Sequence, residues 1–241
     1  MNFLLKIKIL FGGDRQFRQF MVLSLFTLFN FSLIAVRLHY LNFDFTTIQS
    51  SEDLILLRGT ATFLFLLWNL FLAWIPYWIS LAVAPFYERT KSLTFISIIL
   101  FVWLLFLPNA PYILTDLLHL RDRAPIPYWY DLMLLISFAW TGLLLGLTSL
   151  YEVHLFLTKR FSKTIGWIGI FTAITLSGLG VYIGRFLRWN SWDILTQPIQ
   201  LFTDLIEILL HPYSFYGSGS IIVFAAFFFL SYLTFFNFSK R

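Results

Sequence analysis

The sequence predicts an all-α integral membrane protein, a polytopic transmembrane helical bundle of about six spans. Of its 241 residues, 59% are hydrophobic and only 12% are charged, whereas a soluble domain has about 25% charged residues. Several apolar runs approach or exceed the roughly 18–20 residues that cross the hydrocarbon of a bilayer. These runs leave no room for a soluble domain of ordinary size, so we predict one membrane domain over residues 19–237.

The individual elements follow from the apolar runs in chain order. We expect spans near residues 19–38, 61–84, 93–107, 131–151, 164–184 and 218–237, and a half-span at 198–211 would raise the count to seven. Residues 1–18 interleave lysines with apolar side chains and lack a long apolar region and a small-residue cleavage site. That pattern indicates a basic interfacial segment rather than a cleavable signal peptide. Residues 238–241 form the predicted tail.

The orientation is predicted by the distribution of basic residues. If the amino terminus is cytoplasmic, the cytoplasmic segments hold eleven of the lysines and arginines and the external segments hold six. Cytoplasmic loops carry the excess of basic residues in membrane proteins, so we expect both termini, and therefore residues 1–18 and 238–241, to be cytoplasmic. Nine of the acids then lie on the external side, which is where we expect the polar chemistry.

The third span contains an irregular stretch, LPNAPYILTDLLHL, at residues 107–120. The helix before it, residues 93–107, would be about 22 Å long, shorter than a hydrocarbon core of about 30 Å. Pro108 and Pro111 should break the span, because proline lacks the N–H and clashes with the preceding turn. A second helix would begin at Pro111, with Asn109 or Ala110 at its cap, and run to about Leu120.

That second helix carries its polar groups on one stripe. The stripe consists of Tyr112, Thr115, Asp116 and His119. Irregular backbone at membrane depth is tolerated only where it is buried in protein or lines a wet cavity. We therefore expect the break to face the bundle interior near the outer leaflet. The simpler alternative is that Asn109 caps a short helix and Asp116 pairs with a neighbouring arginine.

A second polar stretch, GRFLRWNSWDILTQP, lies at residues 184–198, at the outer end of the fifth span. Arg185 and Arg188 are three residues apart and would share a helical face. Two guanidinium groups can hold a phosphate or carboxylate bidentately, although a snorkelling pair beside tryptophans is the simpler explanation. Trp189 suits the membrane interface, and Asn190 and Asp193 add hydrogen-bonding groups. Because both polar stretches fall on one side of the membrane, we expect them to meet.

Other kinds of site receive less support. Asp116 and His119, with Asp193 or His211, are a weak match to a metal site, so we predict none, and no cofactor is indicated. Glu152 and His154 lie at the cytoplasmic end of the fourth span, where solvated residues are the default. Cysteine is absent, which excludes disulfides, and no phosphate-binding loop or nucleic-acid module is present.

The two polar stretches together resemble an uncharacterised bacterial family of multipass membrane proteins, domain of unknown function 1361. The resemblance covers about residues 20–237. The matching positions are Leu107, Pro108, Asn109, Ala110, Pro111, Tyr112, Thr115, Asp116, Leu117, Gly184, Arg185, Arg188, Trp189, Asn190, Ser191, Trp192 and Asp193. The resemblance implies a polytopic protein of the bacterial inner (plasma) membrane and brings no activity, substrate or cofactor with it.

Three functional hypotheses remain open at this point. The first is a protein that binds or transports an anionic, phosphate-bearing lipid-like ligand in an outward-facing polar cavity. Its predicted ligand-binding residues are Asn109, Tyr112, Arg185, Arg188, Trp189, Asn190 and Asp193. The second is a membrane-embedded enzyme acting on a lipid or isoprenoid phosphate, with Asp116 or His119 as general base. The third is a structural or assembly partner without a ligand. The predicted partners are the bilayer and an anionic lipid, with no nucleic acid.

Overall fold

A computed structural model describes residues 13–41, 63–189, 193–210 and 215–239. Within these ranges the chain is mostly helical and forms no β-strand beyond an isolated bridge between Arg123 and Ile126. The helices are α1 (Asp14–Tyr40), α2 (Phe65–Thr90), α3 (Leu93–Phe106), α4 (Asn109–Tyr112), a 3-10 helix (Ile113–His119), α5 (Tyr128–Arg160), α6 (Lys163–Tyr182), a π-helical turn (Ile183–Leu187), α7 (Asp193–Thr196), α8 (Pro198–Leu210) and α9 (Phe215–Ser239).

Six of the helical stretches in the described chain are long and apolar enough to cross a membrane. They are Asp14–Tyr40, Phe65–Thr90, Leu93–His119, Tyr128–Arg160, Lys163–Leu187 and Gly219–Ser239. This confirms the all-α class and the estimate of about six spans. Residues 198–210 are not a seventh span, because α8 has only 13 residues.

The first span begins earlier than expected, because α1 starts at Asp14 rather than near residue 19. Residues 14–18 of the predicted interfacial segment are therefore part of the first long helix. Lys6 and Lys8, on which the interfacial prediction depended, lie outside the described residues, as do the residues 240–241 of the predicted tail.

Helix α5 is the centre of the bundle. In its most apolar window 67% of the residues are buried, compared with 17% in α1 and 11% in the last span. Helices α1, α2 and α6 pack along α5, and α9 packs mainly on α6. We call the end of the bundle that holds Tyr40, Phe65 and His119 the cavity end. The end that holds Asp14, Thr90 and Lys163 is the opposite end.

The third span breaks at Pro108–Pro111 as predicted, but its backbone stays helical. Leu107 and Pro108 keep right-handed helical dihedral angles between α3 and α4. The second segment therefore starts at Asn109, not at Pro111. The expected cap at Asn109 or Ala110 is wrong, since Pro108 precedes the segment and no side chain caps it.

The Asn109 side chain instead repairs the backbone of the helix before it. The Ala110 N–H bonds to the Leu107 carbonyl at 3.1 Å, which deprives the Phe106 carbonyl of its usual i+4 partner. The Asn109 Nδ2 donates to that carbonyl at 2.9 Å. A carbonyl left unpaired away from water would cost a few kcal/mol, so this amide stabilises the break.

Two glycines allow the break to be buried in the bundle. A Cβ atom at Gly142 of α5 would lie 2.7 Å from the Ala110 carbonyl oxygen, and one at Gly180 of α6 would lie 2.5 Å from Pro108 Cγ. Any side chain there would collide with the broken segment. Ala110, Pro111 and Ile113 are accordingly buried, and the break faces the bundle interior as predicted.

Glu152 and His154 are buried, so the expectation that they are solvated is wrong. Glu152 accepts hydrogen bonds from Arg15 at 3.1 Å and Gln16 at 2.6 Å. His154 Nδ1 lies 2.6 Å from the Tyr232 hydroxyl. The early start of α1 places Arg15 and Gln16 over the end of α5, and that contact between residues distant in sequence closes Glu152 off from solvent.

Candidate ligand-binding cavity

Asp116 is the centre of a buried hydrogen-bond network at the cavity end. In a 3-10 helix residues three apart are eclipsed, so Asp116 and His119 share one face of the segment. Asp116 is 1% exposed. Its Oδ2 accepts a hydrogen bond from Asn69 of α2 at 2.8 Å, and its Oδ1 lies 3.4 Å from Arg185 Nη1.

Arg185 ties the 3-10 helix to the end of α6. Besides its contact with Asp116, its Nη2 donates to the Thr115 carbonyl and lies 3.2 Å from His119 Nδ1. The guanidinium also stacks over the Tyr112 ring, 5.6 Å from the ring centroid. The structure therefore brings the two polar stretches into direct contact, across 69 residues of sequence.

Arg188 does not share a helical face with Arg185, contrary to the sequence expectation. The π-helical turn ends at Leu187, and Arg188 itself adopts the left-handed conformation, with φ 62° and ψ 28°. The Trp189 N–H then bonds back to the Ile183 carbonyl at 3.3 Å. A left-handed residue followed by such a bond is a common helix ending, usually built with glycine. As a result the Arg188 side chain is exposed while that of Arg185 is 13% exposed.

A partly open cavity of about 880 Å³ lies beside this network. Its walls come from α2, α3 and the segment after the break, from α6 and its π-helical turn, and from α8 through Leu201. Polar side chains line the part of the cavity near the break. Phe101, Leu105 and Leu176 line the part that lies further along the bundle, towards its mid-length. The volume falls within the range of small-molecule sites.

Six of the nine residues singled out from sequence line this cavity. They are Asn109, Tyr112, His119, Arg185, Arg188 and Trp189. Asp116 lies behind the lining, where it holds Arg185. Asp193 is not part of the lining and accepts a hydrogen bond from Thr196 at 3.3 Å. Asn190 lies outside the described residues.

Three further residues shape the polar end of the cavity, and of these the sequence analysis missed only Arg121. From sequence, Asn69 and the neighbouring Trp68 could line a cavity, with a hydrogen bond between helices as the simpler interpretation of the amide. Asn69 does both, since it donates to Asp116 and lines the cavity. Arg121 carried no signal, since it follows the motif in an ordinary-looking basic loop. Trp68 lines the cavity as well and is 53% exposed.

Metal-ligating groups do not converge here. Within the described ranges no three histidine or carboxylate side chains are arranged to hold a metal ion. His119 Nδ1 lies 3.2 Å from the Asp116 carbonyl oxygen. His211, the alternative third ligand considered from sequence, is outside the described residues.

The comparison with known families agrees with the two motifs. The family described as "Protein of unknown function (DUF1361)" matches residues 68–235, which include both polar stretches and every described residue of the cavity. The chain belongs to this family. No curated protein and no solved structure matches the chain. Family membership therefore brings no activity, and the function has to be argued from the DUF1361 chain itself.

Proposed function

We propose that the protein binds an anionic, phosphate-bearing lipid-like molecule in the cavity at the end of the bundle. The observation that carries this proposal is the charge of the lining. Among the described residues that line the cavity there are three arginines, Arg121, Arg185 and Arg188, and no aspartate or glutamate. Asp116, behind the lining, pairs with Arg185, so the lining still carries a net positive charge. Guanidinium groups bind phosphate oxygens bidentately and are less strongly hydrated than ammonium groups.

The apolar part of the cavity supports an amphiphile rather than a free anion. Phe101 and Leu105 lie one to two helical turns from Asn109, towards the middle of the bundle, and Leu176 and Leu179 lie opposite them on α6. A hydrocarbon chain placed there would bury about 0.8 kcal/mol for each methylene group. An inorganic anion would leave this surface unused.

The mouth of the cavity supports entry from the bilayer. Trp68, Phe101 and Leu118 all line the cavity and are 53%, 56% and 69% exposed. In a membrane protein such exposed apolar side chains contact lipid. A lipid can therefore move sideways from the bilayer into the cavity without its chain crossing water.

The same geometry weighs against the other two hypotheses. Asp116 is buried behind the lining, where its carboxylate contacts Asn69 and Arg185, so a ligand in the cavity has no direct access to it as a general base. His119 does line the cavity, but its Nδ1 faces the Asp116 carbonyl and Arg185 Nη2, each at 3.2 Å. A purely structural protein would have its polar groups paired. Arg121 and Arg188 are exposed and form no ion pair or hydrogen bond with the part of the chain that the structure describes.

From the excess of basic residues in the segments expected to be cytoplasmic, we propose that the cavity lies on the external side of the membrane, with both termini cytoplasmic. The bacterial inner membrane is the location that the family resemblance implies. In that arrangement the headgroup would face the external leaflet. The proposal is thus an outward-facing lipid site in a multipass protein.

Native mass spectrometry in mild detergent tests the proposal. The wild-type protein, incubated with dioleoyl phosphatidic acid, should retain the lipid. Leu105→Trp should lose it, because the indole fills the apolar part of the cavity. Val102→Trp is the matched control, since Val102 lies on the same helix, is 37% exposed and is not part of the lining. Equal retention by the wild type and Leu105→Trp, or none by the wild type, would contradict the proposal.

A further inference from the structure

The described arginines at the cavity end fall into two groups, according to whether a carboxylate already neutralises them. Arg37 is fully buried and bonds both oxygens of Asp131, at 2.8 and 3.1 Å. Arg123 lies 3.9 Å from the same carboxylate. The guanidinium groups of Arg37 and Arg123 also contact the Phe63 ring, at 4.2 and 5.2 Å from its centroid. These two arginines belong to the packing of the bundle.

Arg185 belongs with them although it lines the cavity. Its charge is matched by Asp116 at 3.4 Å, and its Nη2 is committed to the Thr115 carbonyl and to His119. To bind a ligand with the same nitrogens it would have to release the 3-10 helix. Breaking a buried ion pair is strongly destabilising, and one new charged hydrogen bond does not compensate for that loss.

Arg121 and Arg188 form the other group. Each is exposed, each lines the cavity, and neither has an ion-pair or hydrogen-bond partner within the described residues. They reach the cavity from different elements, Arg121 from just beyond the 3-10 helix and Arg188 from the end of the π-helical turn. The nearby carboxylate of Asp204 accepts a hydrogen bond from the Trp189 indole at 2.8 Å.

We propose that Arg121 and Arg188 are the pair that binds the phosphate group of the ligand, and that Arg185 is a structural residue. This inference rests on the proposed lipid-binding function and goes beyond it, because it assigns the headgroup site to an arginine outside both sequence motifs. Two guanidinium groups on separate elements would clamp one phosphate between the 3-10 helix and α6.

The backbone conformation of Arg188 allows a substitution that removes its charge without disturbing the fold. Its left-handed conformation suits glycine better than any other residue, so Arg188→Gly removes the guanidinium without straining the fold. Lys91 at the opposite end of the bundle is also left-handed, with φ 51°, and is not part of the lining. Lys91→Gly therefore makes the same backbone change and the same charge change away from the cavity, and in addition removes an exposed ion pair with Glu88.

The experiment is a titration of the purified protein in detergent with lysophosphatidic acid, a phosphate on a single chain. Arg188→Gly and Arg121→Gln should each raise the Kd by about 10–100-fold, the effect of losing one charged hydrogen-bonding group. Lys91→Gly should leave the Kd unchanged.

Further comparisons distinguish a lipid phosphate from free phosphate, and a wrong arginine assignment from a wrong lipid-binding proposal. Inorganic phosphate should compete only weakly, and competition as strong as that of unlabelled lysophosphatidic acid would overturn the assignment to an amphiphile. Wild-type binding that Arg188→Gly and Arg121→Gln leave intact would overturn the arginine pair while the lipid site stands. An absence of wild-type binding to lysophosphatidic acid and to dioleoyl phosphatidic acid would overturn the proposed function as well.

Discussion

Asp116 and Arg185 illustrate, at the scale of single residues, how charge is used within this bundle. Their side chains are 2% and 13% exposed, so each requires the other as a partner. Polar residues inside a membrane bundle face its interior and pair with one another. The pair joins two stretches that are far apart in sequence and fixes the wall of the cavity.

The ion pair predicts a specific pattern of stabilities. Asp116→Ala should lower the free energy of unfolding by about 3 kcal/mol, because it leaves the Arg185 guanidinium unpaired. The protein should still insert into the membrane. Thermal unfolding in detergent measures the loss. In the double variant Asp116→Asn/Arg185→Gln much of the lost free energy of unfolding should be recovered. Strictly additive effects of the two substitutions would contradict the pairing.

A second prediction at this scale concerns the left-handed residues. Arg188→Gly should raise the free energy of unfolding by about 1 kcal/mol, since a side chain in this conformation costs about 1–2 kcal/mol. Lys91→Gly should gain less, because it also removes an exposed ion pair with Glu88. The midpoint of thermal unfolding is the readout. A clear loss of stability in Arg188→Gly alone would mean that its guanidinium supports the fold, and would weaken its role in binding.

From sequence, the polar residues that form the site could be predicted more accurately than the contacts that they make. An aspartate, a histidine and two arginines in interrupted spans indicate a site, but the spacing of Arg185 and Arg188 suggests a shared face only if the helix continues. It ends at Leu187, and a helix ending is the least predictable feature of a span. Arg121 could not be found at all, because nothing local distinguishes it from a basic loop residue.

At the scale of elements, the third span owes its packing to glycines on its neighbours. Gly180 of α6 faces Pro108, and Gly142 of α5 faces the carbonyl of Ala110. A proline-containing break presents a bulky ring and a backbone carbonyl to the adjacent helix. Only a helix without a side chain at that point can approach it closely.

This contact predicts that Gly180→Ala is destabilising although alanine is the better helix former. The new methyl group would collide with the Pro108 ring, and overpacking of this kind costs about 1–3 kcal/mol. Gly169→Ala on the same helix is the matched control, since its methyl group would meet only the end of the flexible Leu157 side chain. Thermal unfolding of both variants gives the comparison, and equal stability of the two would contradict the account.

The elements also show why burial at the opposite end was mispredicted. Glu152 occupies the end of a span, where a carboxylate is usually solvated. Helix α1 begins at Asp14 and brings Arg15 within 2.8 Å of Glu152. The run of apolar residues that defines a span does not reveal how far its helix extends into the polar residues before it.

For the whole molecule, the fold follows directly from composition and the function does not. Long apolar runs force helices that satisfy their own backbone groups, so the six spans can be counted from sequence. The arrangement around α5, and with it the position of the cavity, depends on contacts between distant segments. Those contacts become visible only in the folded chain.

The orientation of the molecule can be tested with engineered cysteines, because the natural sequence has none. Asp122 and Thr90 are both exposed and lie at the two ends of the bundle. In intact cells a membrane-impermeant maleimide should label Asp122→Cys and should label Thr90→Cys only after the membrane is opened. The reverse pattern would place the cavity on the cytoplasmic side.

The central claim is that an anionic lipid occupies the cavity, and photo-crosslinking tests it most directly. A phosphatidic acid that carries a diazirine in its chain is added to the protein in membranes, irradiated, and located by peptide mapping. We expect the crosslinks to concentrate on Leu72, Leu105 and Leu179, which line the cavity and are buried or half-buried. Crosslinks spread over lipid-facing residues such as Leu25 and Leu28 of α1, which are 61% and 62% exposed, without enrichment in the cavity, would contradict the claim.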